Sequence, residues 1–356
     1  MKITEITGKT VSVQLTKPFK VTFGEIRAME SLILKITTDT GLVGYGEACP
    51  FEPVTGENIA TEKLALADFR PILIGQDPRD IEQRHADMDH LTVGHTALKA
   101  GIDIALYDLL GKATGLPLYQ LLGGQANRVK TDITIAIDTP SAMAAEAQRD
   151  VARGFTQLKV KTGLNVQTDI QAIQQILAVV DDRVEVKVDA NQGWTAKQTI
   201  DVMDRFQHTN LKVIEQPLPY WQHPANALIR QHISQSLMLD ESVHSAHDAF
   251  AVLQAHEADL INIKLMKSAG ILGAEQINHV AAAAGVPCMI GCMAESSIAI
   301  CAAAHFAAAH ANITYCDLDS FLMFQQPDWL RDAGFTTHHD VIQLSERPGL
   351  GVELAF

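Results

Sequence analysis

Hydrophobic and polar positions follow two regimes along the chain. Residues 2–16, 31–38 and 43–49 alternate apolar and polar side chains, with Thr40-Gly41 between the second and third runs. That is the pattern of a small antiparallel sheet with a hairpin. Between the first two runs lies Lys17-Pro18-Phe19-Lys20-Val21-Thr22-Phe23-Gly24-Glu25, which has apolar residues of its own and is expected to form a loop acting as a lid. Helical periodicity follows at roughly 57–70, 78–89 and 95–112, the last with Leu98, Ile102, Ala105 and Leu109 on one stripe and Gly115-Leu116-Pro117 as its stop. From about 130 to 320 the rhythm changes to short apolar runs separated by helical patterns near 141–153, 167–180, 196–207, 246–255, 270–284 and 296–309. Such runs read as buried parallel strands. Five of them close on a polar residue, Lys161, Asp189, Glu215, Asp240 and Lys264, at intervals of 24 to 28 residues, one strand plus one helix each time. Counting back reaches Ile133-Thr134-Ile135, and counting on reaches Met289-Ile290-Gly291 and Tyr315-Cys316-Asp317. These are eight strand ends, the number a (β/α)8 barrel needs.

The pattern therefore predicts an α/β chain in two parts. An α+β capping domain occupies residues 1–125 and ends at the turn-rich Leu122-Gly123-Gly124-Gln125, and a TIM-type barrel occupies 126–324. The tail from 325 to 356, with the alternating run Val341-Ile342-Gln343-Leu344, is expected to return to the N-terminal sheet and make the first domain discontinuous. A length of 356 residues at 47% apolar composition accommodates both parts, since a barrel takes about 250. The formal charge of −14 argues against a nucleic-acid or anionic-membrane partner, both of which need clustered cations. Five cysteines without a Cys-x-x-Cys pair suit free thiols in a reducing cytoplasm. No basic-then-apolar leader opens the chain, and the most apolar stretch, Ile298 to Ala309, is short and carries His305, so neither secretion nor membrane insertion is expected.

Order alone then fixes a geometry. Lys161 and Lys264 close the second and sixth strands and face each other across the barrel mouth. Asp189, Glu215 and Asp240 fill the arc between them, as a hard cation such as Mg2+ requires. Asp317 and Asp319 follow the eighth strand, opposite that arc, where they can hold the positive end of a substrate. Each signal has a bland reading when taken alone: a solvated lysine pair at Lys159-Val160-Lys161, a helix N-cap at Asp189 or Asp240, a solvated turn at Asp317-Leu318-Asp319. Recurrence at matching strand ends favours chemistry. Lys159 shares a face with Lys161, so it can depress the pKa of Lys161 by repulsion and can pair with a substrate carboxylate. Asn191 is positioned to hydrogen-bond substrate, Glu241 to support the metal or a lysine, and Cys292 to line the pocket without activation as a nucleophile. Lys267 is expected to form a salt bridge outside the site, and the histidines to be structural or on the surface.

This constellation resembles the enolase superfamily and, within it, the muconate-lactonising-enzyme-like subgroup. The resemblance spans essentially the whole chain and rests on Leu158-Lys159-Val160-Lys161, Val188-Asp189-Ala190-Asn191-Gln192, Ile214-Glu215-Gln216-Pro217, Asp240-Glu241-Ser242 and Ile261-Asn262-Ile263-Lys264-Leu265-Met266-Lys267. Asp103 to Lys112 and Pro348-Gly349-Leu350-Gly351 add to it. It implies the modified barrel of that superfamily, with one Mg2+ per subunit. Asp317-Leu318-Asp319 is similar to the Asp-x-Asp motif of dipeptide epimerases, which implies that the pair binds the α-ammonium of an L,L-dipeptide while the metal binds its carboxylate. The reach agrees, because a peptide unit adds roughly 3.5 Å to the ammonium-to-carboxylate distance of a free amino acid. The resemblance further implies Thr134, Lys159, Asn191 and Cys292 as substrate contacts, with Lys161 serving the R-configured centre and Lys264 the S-configured one.

One position departs from the family. Ala-Glu epimerases carry a loop arginine for the substrate's glutamate, and that position here is Gly24, followed by Glu25. A neutral or apolar C-terminal residue is expected instead, or a cationic one if Glu25 points inward. Sister reactions on the same machinery, namely N-acylamino-acid racemisation, cycloisomerisation and o-succinylbenzoate synthesis, stay open, as does a catalytically silent ligand-binding barrel. Whether the chain forms a homo-oligomer is not readable from its sequence.

Overall fold

The computed structural model describes residues 1–325 and 327–355. Strand β1 (Ile3–Val21) runs antiparallel to β2 (Gly24–Thr38), which also pairs with β3 (Val43–Ala48). Residues 17–25 are therefore not a loop. After a register shift between Gln14 and Phe19 the ladder resumes, with Phe19 opposite Ile26 and Val21 opposite Gly24, so the expected lid is the tip of a long hairpin. The alternation of Phe19 and Val21 with Lys20 and Thr22 is a strand pattern that Pro18 had concealed. Helices Ile59–Leu73, Ile81–Leu91 and Thr96–Thr114 follow. The last packs directly on β3, where a Cβ on Gly44 or Gly46 would lie 2.2 Å from the Ala105 carbonyl or 1.9 Å from that of Gly101.

The second regime forms one eight-stranded parallel sheet curled into a barrel. Strand β4 (Arg128–Lys130) precedes it, and its members in chain order are β5 (Ile133–Ile135), β6 (Gln157–Lys161), β7 (Glu185–Asp189), β8 (Leu211–Glu215), β9 (Ser236–Leu239), β10 (Leu260–Lys264), β11 (Cys288–Gly291) and β12 (Ile313–Cys316). Between β5 and β12 the Asp132 amide donates to the Cys316 carbonyl at 3.0 Å. Helices on the outside begin at side-chain caps, Thr139, Asn165, Thr195, Ser245 and Ser296, whose oxygens accept from first-turn amides. One helix, Asn226–His232, was hidden in the sequence because Pro217, Pro219 and Pro224 break the periodicity before it.

Alternation along the strands sends one set of side chains into the barrel. Val213, Met238, Leu260 and Met289 form an apolar plug against Tyr315. Fully buried Lys187 pairs with Asp132 at 2.5 Å and lies 4.8 Å from the centre of the Tyr315 ring.

The tail forms β13 (Leu330–Ala333), β14 (Phe335–His338), β15 (Val341–Leu344) and β16 (Val352–Leu354). It does not extend the N-terminal sheet: β13 pairs with β16, and β15 lies between β14 and β4. It is linked to the first region by a backbone bridge between Pro117 and Gly349 and by Asp108, which accepts from the Tyr45 and Leu350 amides, both at 2.9 Å, and pairs with Lys112 at 2.6 Å. Two more buried carboxylates join the capping region to the barrel. Asp103 accepts from the Ile271 amide at 2.6 Å, and Glu47 accepts from the Ser296 amide and hydroxyl, the Ala299 amide and Ser31. Both therefore sit at helix N-termini, where backbone donors and the helix dipole favour negative charge. No helix among the described residues is long and apolar enough to cross a membrane.

Candidate active site

Lys161, Asp189, Glu215 and Lys264 are the last residues of β6, β7, β8 and β10, and Asp240 and Asp317 lie one residue past β9 and β12. Side chains at the C-terminal ends of these parallel strands converge on one mouth. Two loop residues hold them there. Gln216, in a left-handed conformation at φ 35°, accepts from the Asp240 and Ser242 amides and donates to the Leu218 carbonyl, tying β8 to β9. The Asn191 amide donates to Asp189 at 2.9 Å, in a left-handed turn that asparagine tolerates. Gly163 has φ 104°, and a Cβ there would lie 2.2 Å from the Ala190 carbonyl, so the turn after Lys161 needs glycine.

A cavity open to solvent brings together Lys161, Lys264, Thr134, Asn191, Glu241, Cys292, Asp317 and Asp319. Asp189, Glu215, Asp240 and Lys159 are almost wholly buried. Gly24 and Glu25 do not line the cavity, and Glu25 pairs with Arg27 at 2.5 Å on the exposed side of the hairpin. The inward orientation of Glu25 that would suit a cationic residue is therefore absent. Lys267 corrects another expectation. Instead of lying outside, it is buried and donates to the Asp240 side chain at 2.6 Å and to the Asn262 carbonyl at 3.1 Å.

Charge is balanced within the site. Lys161 contacts Asp189 at 2.7 Å and Asn191 at 3.1 Å, and Lys264 contacts Asp240 at 2.7 Å. Lys159 reaches Asp317 at 2.7 Å, Glu215 at 2.8 Å and Asp189 at 3.2 Å. Burial opposes ionisation of Lys159, but these carboxylates outweigh it and hold the ammonium well above its ordinary range. Burial likewise opposes ionisation of Asp317, yet Lys159 and Lys161 keep it well below the usual carboxylate range. Asp319 is pushed up to about 7 by burial and by the charge of Asp317, although the Thr134 amide donates to it at 2.6 Å. Burial, with Asp189 next, raises Glu215 to about 7, and burial with Asp240 raises Glu241 to about 8. The Cys292 thiol is raised well above its ordinary value by burial and then by Asp317, in keeping with a lining role.

Two groups compete as a cation site. Ligand atoms of Cys292, Asp317 and Asp319 lie within 4.8 Å of one another. The three strand-end carboxylates are interleaved with Lys159, Lys161, Lys264 and Lys267 instead. Donor chemistry favours the second group for a hard dication: it is all oxygen, whereas the first includes a thiol. Glu215 Oε2 and Asp240 Oδ2 are buried and, among the described residues, have ammonium contacts but no hydrogen bond of good geometry. Such under-coordinated oxygens fit Mg2+.

A parallel barrel with an antiparallel cap and this ring of lysines and carboxylates defines an enolase-type barrel enzyme. The family signature described as enolase C-terminal domain-like matches residues 142–355, and that of the mandelate racemase/muconate lactonizing enzyme N-terminal domain matches 3–123. The chain belongs to this family, the enolase superfamily, in its muconate-lactonising-enzyme-like subgroup. It is similar to an L-Ala-D/L-Glu epimerase of Bacillus subtilis, at 40% identity over 99% of this chain and 97% of that one. It is similar also to a hydrophobic dipeptide epimerase of Enterococcus faecalis, at 38% over 99% of each. The structure of the Enterococcus enzyme, complexed with Mg and L-Leu-L-Tyr, superposes with a TM-score of 0.97 over 99% of this chain and 100% of that one. An N-succinyl-L-Arg/Lys racemase of Bacillus cereus is 37% identical over 99% of this chain and 96% of that one. With these relatives the chain is an isomerase of the racemase and epimerase type.

Proposed function

We propose that the chain is a dipeptide epimerase that inverts the α-carbon of the C-terminal residue of an L,L-dipeptide by two-base proton transfer. The observation that carries this reading is that one cavity is lined both by the two strand-end lysines, Lys161 and Lys264, and by two carboxylates beyond the eighth barrel strand, Asp317 and Asp319. Asp189, Glu215 and Asp240 would hold Mg2+, which when bound supplies positive charge to the substrate carboxylate as its α-proton leaves.

The chain's own groups do the rest. Lys161 removes or delivers the α-proton at one face and Lys264 does so at the other, so a proton lost on one side is returned on the opposite side. Asp317 and Asp319 hold the substrate ammonium, and the Thr134 amide orients Asp319 through its hydrogen bond. Asn191 can donate to the substrate, and the hairpin tip over the mouth limits the entry of water. Replacing the Gly24 position's arginine with glycine removes a partner for an acidic substrate side chain. The unpaired cysteines suit operation in the cytoplasm, which belongs to the same proposal.

N-acylamino-acid racemisation is the second reading, favoured by the Bacillus cereus relative. An N-acyl group offers no cation to Asp319, which among the described residues has no ammonium partner as Asp317 has in Lys159, and this weighs against it. Incubation of an L,L-dipeptide library in D2O, with Mg2+ or EDTA, tests the choice by mass spectrometry. Metal-dependent gain of one deuteron in a subset of dipeptides is expected, and its loss in Asp317→Asn/Asp319→Asn. Exchange with N-acylamino acids but no dipeptide would replace the proposal with the second reading.

A further inference from the structure

The hairpin tip and the segment after β3 form an apolar roof over the mouth. Phe19, Val21, Phe23 and Ile26 from the hairpin, with Phe51 and Val54, line the cavity that holds Lys161 and Lys264. Phe23 and Phe51 meet edge to face with ring centres 6.1 Å apart, and Phe23 is 36% exposed, which leaves ring surface for a ligand to cover.

The charged residues of the tip turn the other way. Lys17 pairs with Glu146, Glu25 pairs with Arg27, and Lys20 is exposed. Strand alternation causes the division, because Phe19 and Val21 share one face and Lys20 lies on the other. Among the described residues, the roof thus offers a substrate aromatic and aliphatic surface without a charge.

Contacts with the barrel place the roof along the mouth. Leu15 bridges to Phe324 at the Asp317 and Asp319 end, the Ile137 amide donates to the Lys20 carbonyl at 3.1 Å, and the Thr22 hydroxyl donates to the carbonyls of Thr162 at 3.1 Å and Ala190 at 3.3 Å. Val21 and Phe23 therefore stand above β6 and β7, beside Lys161 and the strand-end carboxylates. Under the epimerase reading, that is where the reacting C-terminal residue lies.

We propose, resting on the epimerase reading, that the enzyme prefers dipeptides whose C-terminal residue has a bulky apolar side chain, with the Phe23–Phe51 pair as the wall that receives it. A carboxylate or ammonium entering this roof would lose hydration without gaining a partner, whereas each added methylene gains contact area.

Competition among L-Ala-L-Xaa dipeptides in D2O, with Xaa as Ala, Leu, Phe, Glu or Lys, tests the assignment. Leu and Phe should exceed Ala in kcat/KM by about tenfold or more and Glu and Lys by about a hundredfold, the scale on which pockets discriminate. Phe23→Ala should reduce the Phe-to-Ala ratio of kcat/KM about tenfold, mainly through KM for the Phe dipeptide. Phe23→Arg should shift preference from Phe toward Glu, a gain that misfolding cannot produce. Equal or faster exchange of the Glu or Lys dipeptide by the unaltered enzyme, or unchanged ratios in both variants, would overturn the roof assignment while leaving epimerisation intact. Absence of exchange in every dipeptide would overturn the epimerase reading and the roof assignment with it.

Discussion

Lys161 and Lys264 each have a carboxylate partner and line the cavity, and under the proposed two-base reading each serves one face of a bound α-carbon. Lys161→Ala and Lys264→Ala should each abolish epimerisation, by roughly 10²- to 10⁴-fold, the usual scale of general acid–base catalysis. Exchange should survive one-sidedly: Lys161→Ala should wash deuterium into the L,L-dipeptide only, and Lys264→Ala into the L,D-dipeptide only. Chiral chromatography with mass detection checks this, and two-sided exchange in either variant would contradict the assignment. These two residues were legible in the sequence because they end apolar runs at a near-constant interval. Lys267 and Gln216 were not, because their roles depend on how a loop turns. The Lys267 amide donates to the Lys264 carbonyl at 3.0 Å, a tight turn that carries its side chain back beneath Asp240. The three-residue spacing of the two lysines was the available signal.

Elements follow the same logic at longer range. Most strands and helices could be read from period and caps, but the hairpin tip, the helix Asn226–His232 and the course of the tail could not. Proline masks local pattern in the first two, and the pairing of β15 with β4 joins segments about two hundred residues apart, for which one sequence holds no direct signal. The helix Ser297–Ala309 shows what such long-range partners contribute. Its N-terminus is held by Glu47 of β3, and Glu47→Gln should destabilise the chain by about 1–3 kcal/mol, the usual range for a charged hydrogen-bonding group, measurable by urea unfolding. Farther along the helix, buried His305 accepts from the Tyr119 amide at 3.0 Å, and burial lowers its pKa to about 4. Between pH 6.5 and 4 the unfolded chain binds the proton and the folded chain does not, so stability is full above 6.5 and falls as pH drops through that window. The loss reaches roughly 3 kcal/mol. Against the same pH series, His305→Asn should show a shallower decline, and an equal decline would rule out His305 as its source.

For the molecule as a whole, the three strand-end carboxylates share four lysines, yet Glu215 Oε2 and Asp240 Oδ2 keep no hydrogen bond among the described residues, and burial raises Glu215 to about 7. A cation that binds only the folded arrangement must stabilise it, by about 2.7 kcal/mol at a hundred times its dissociation constant. Mg2+ should therefore raise the melting temperature by several degrees, EDTA should reverse the shift, and Glu215→Gln should reduce it. Calorimetry of the three samples decides the point. The same view exposes a division of labour along the polypeptide. The roof is contributed before residue 55, and the lysines and acids at the mouth all come after residue 130. Drift in a short upstream stretch can re-address such an enzyme to new peptides while the downstream apparatus stays under unchanged constraint. Gene duplicates of this architecture can therefore diverge in diet without reinventing their chemistry.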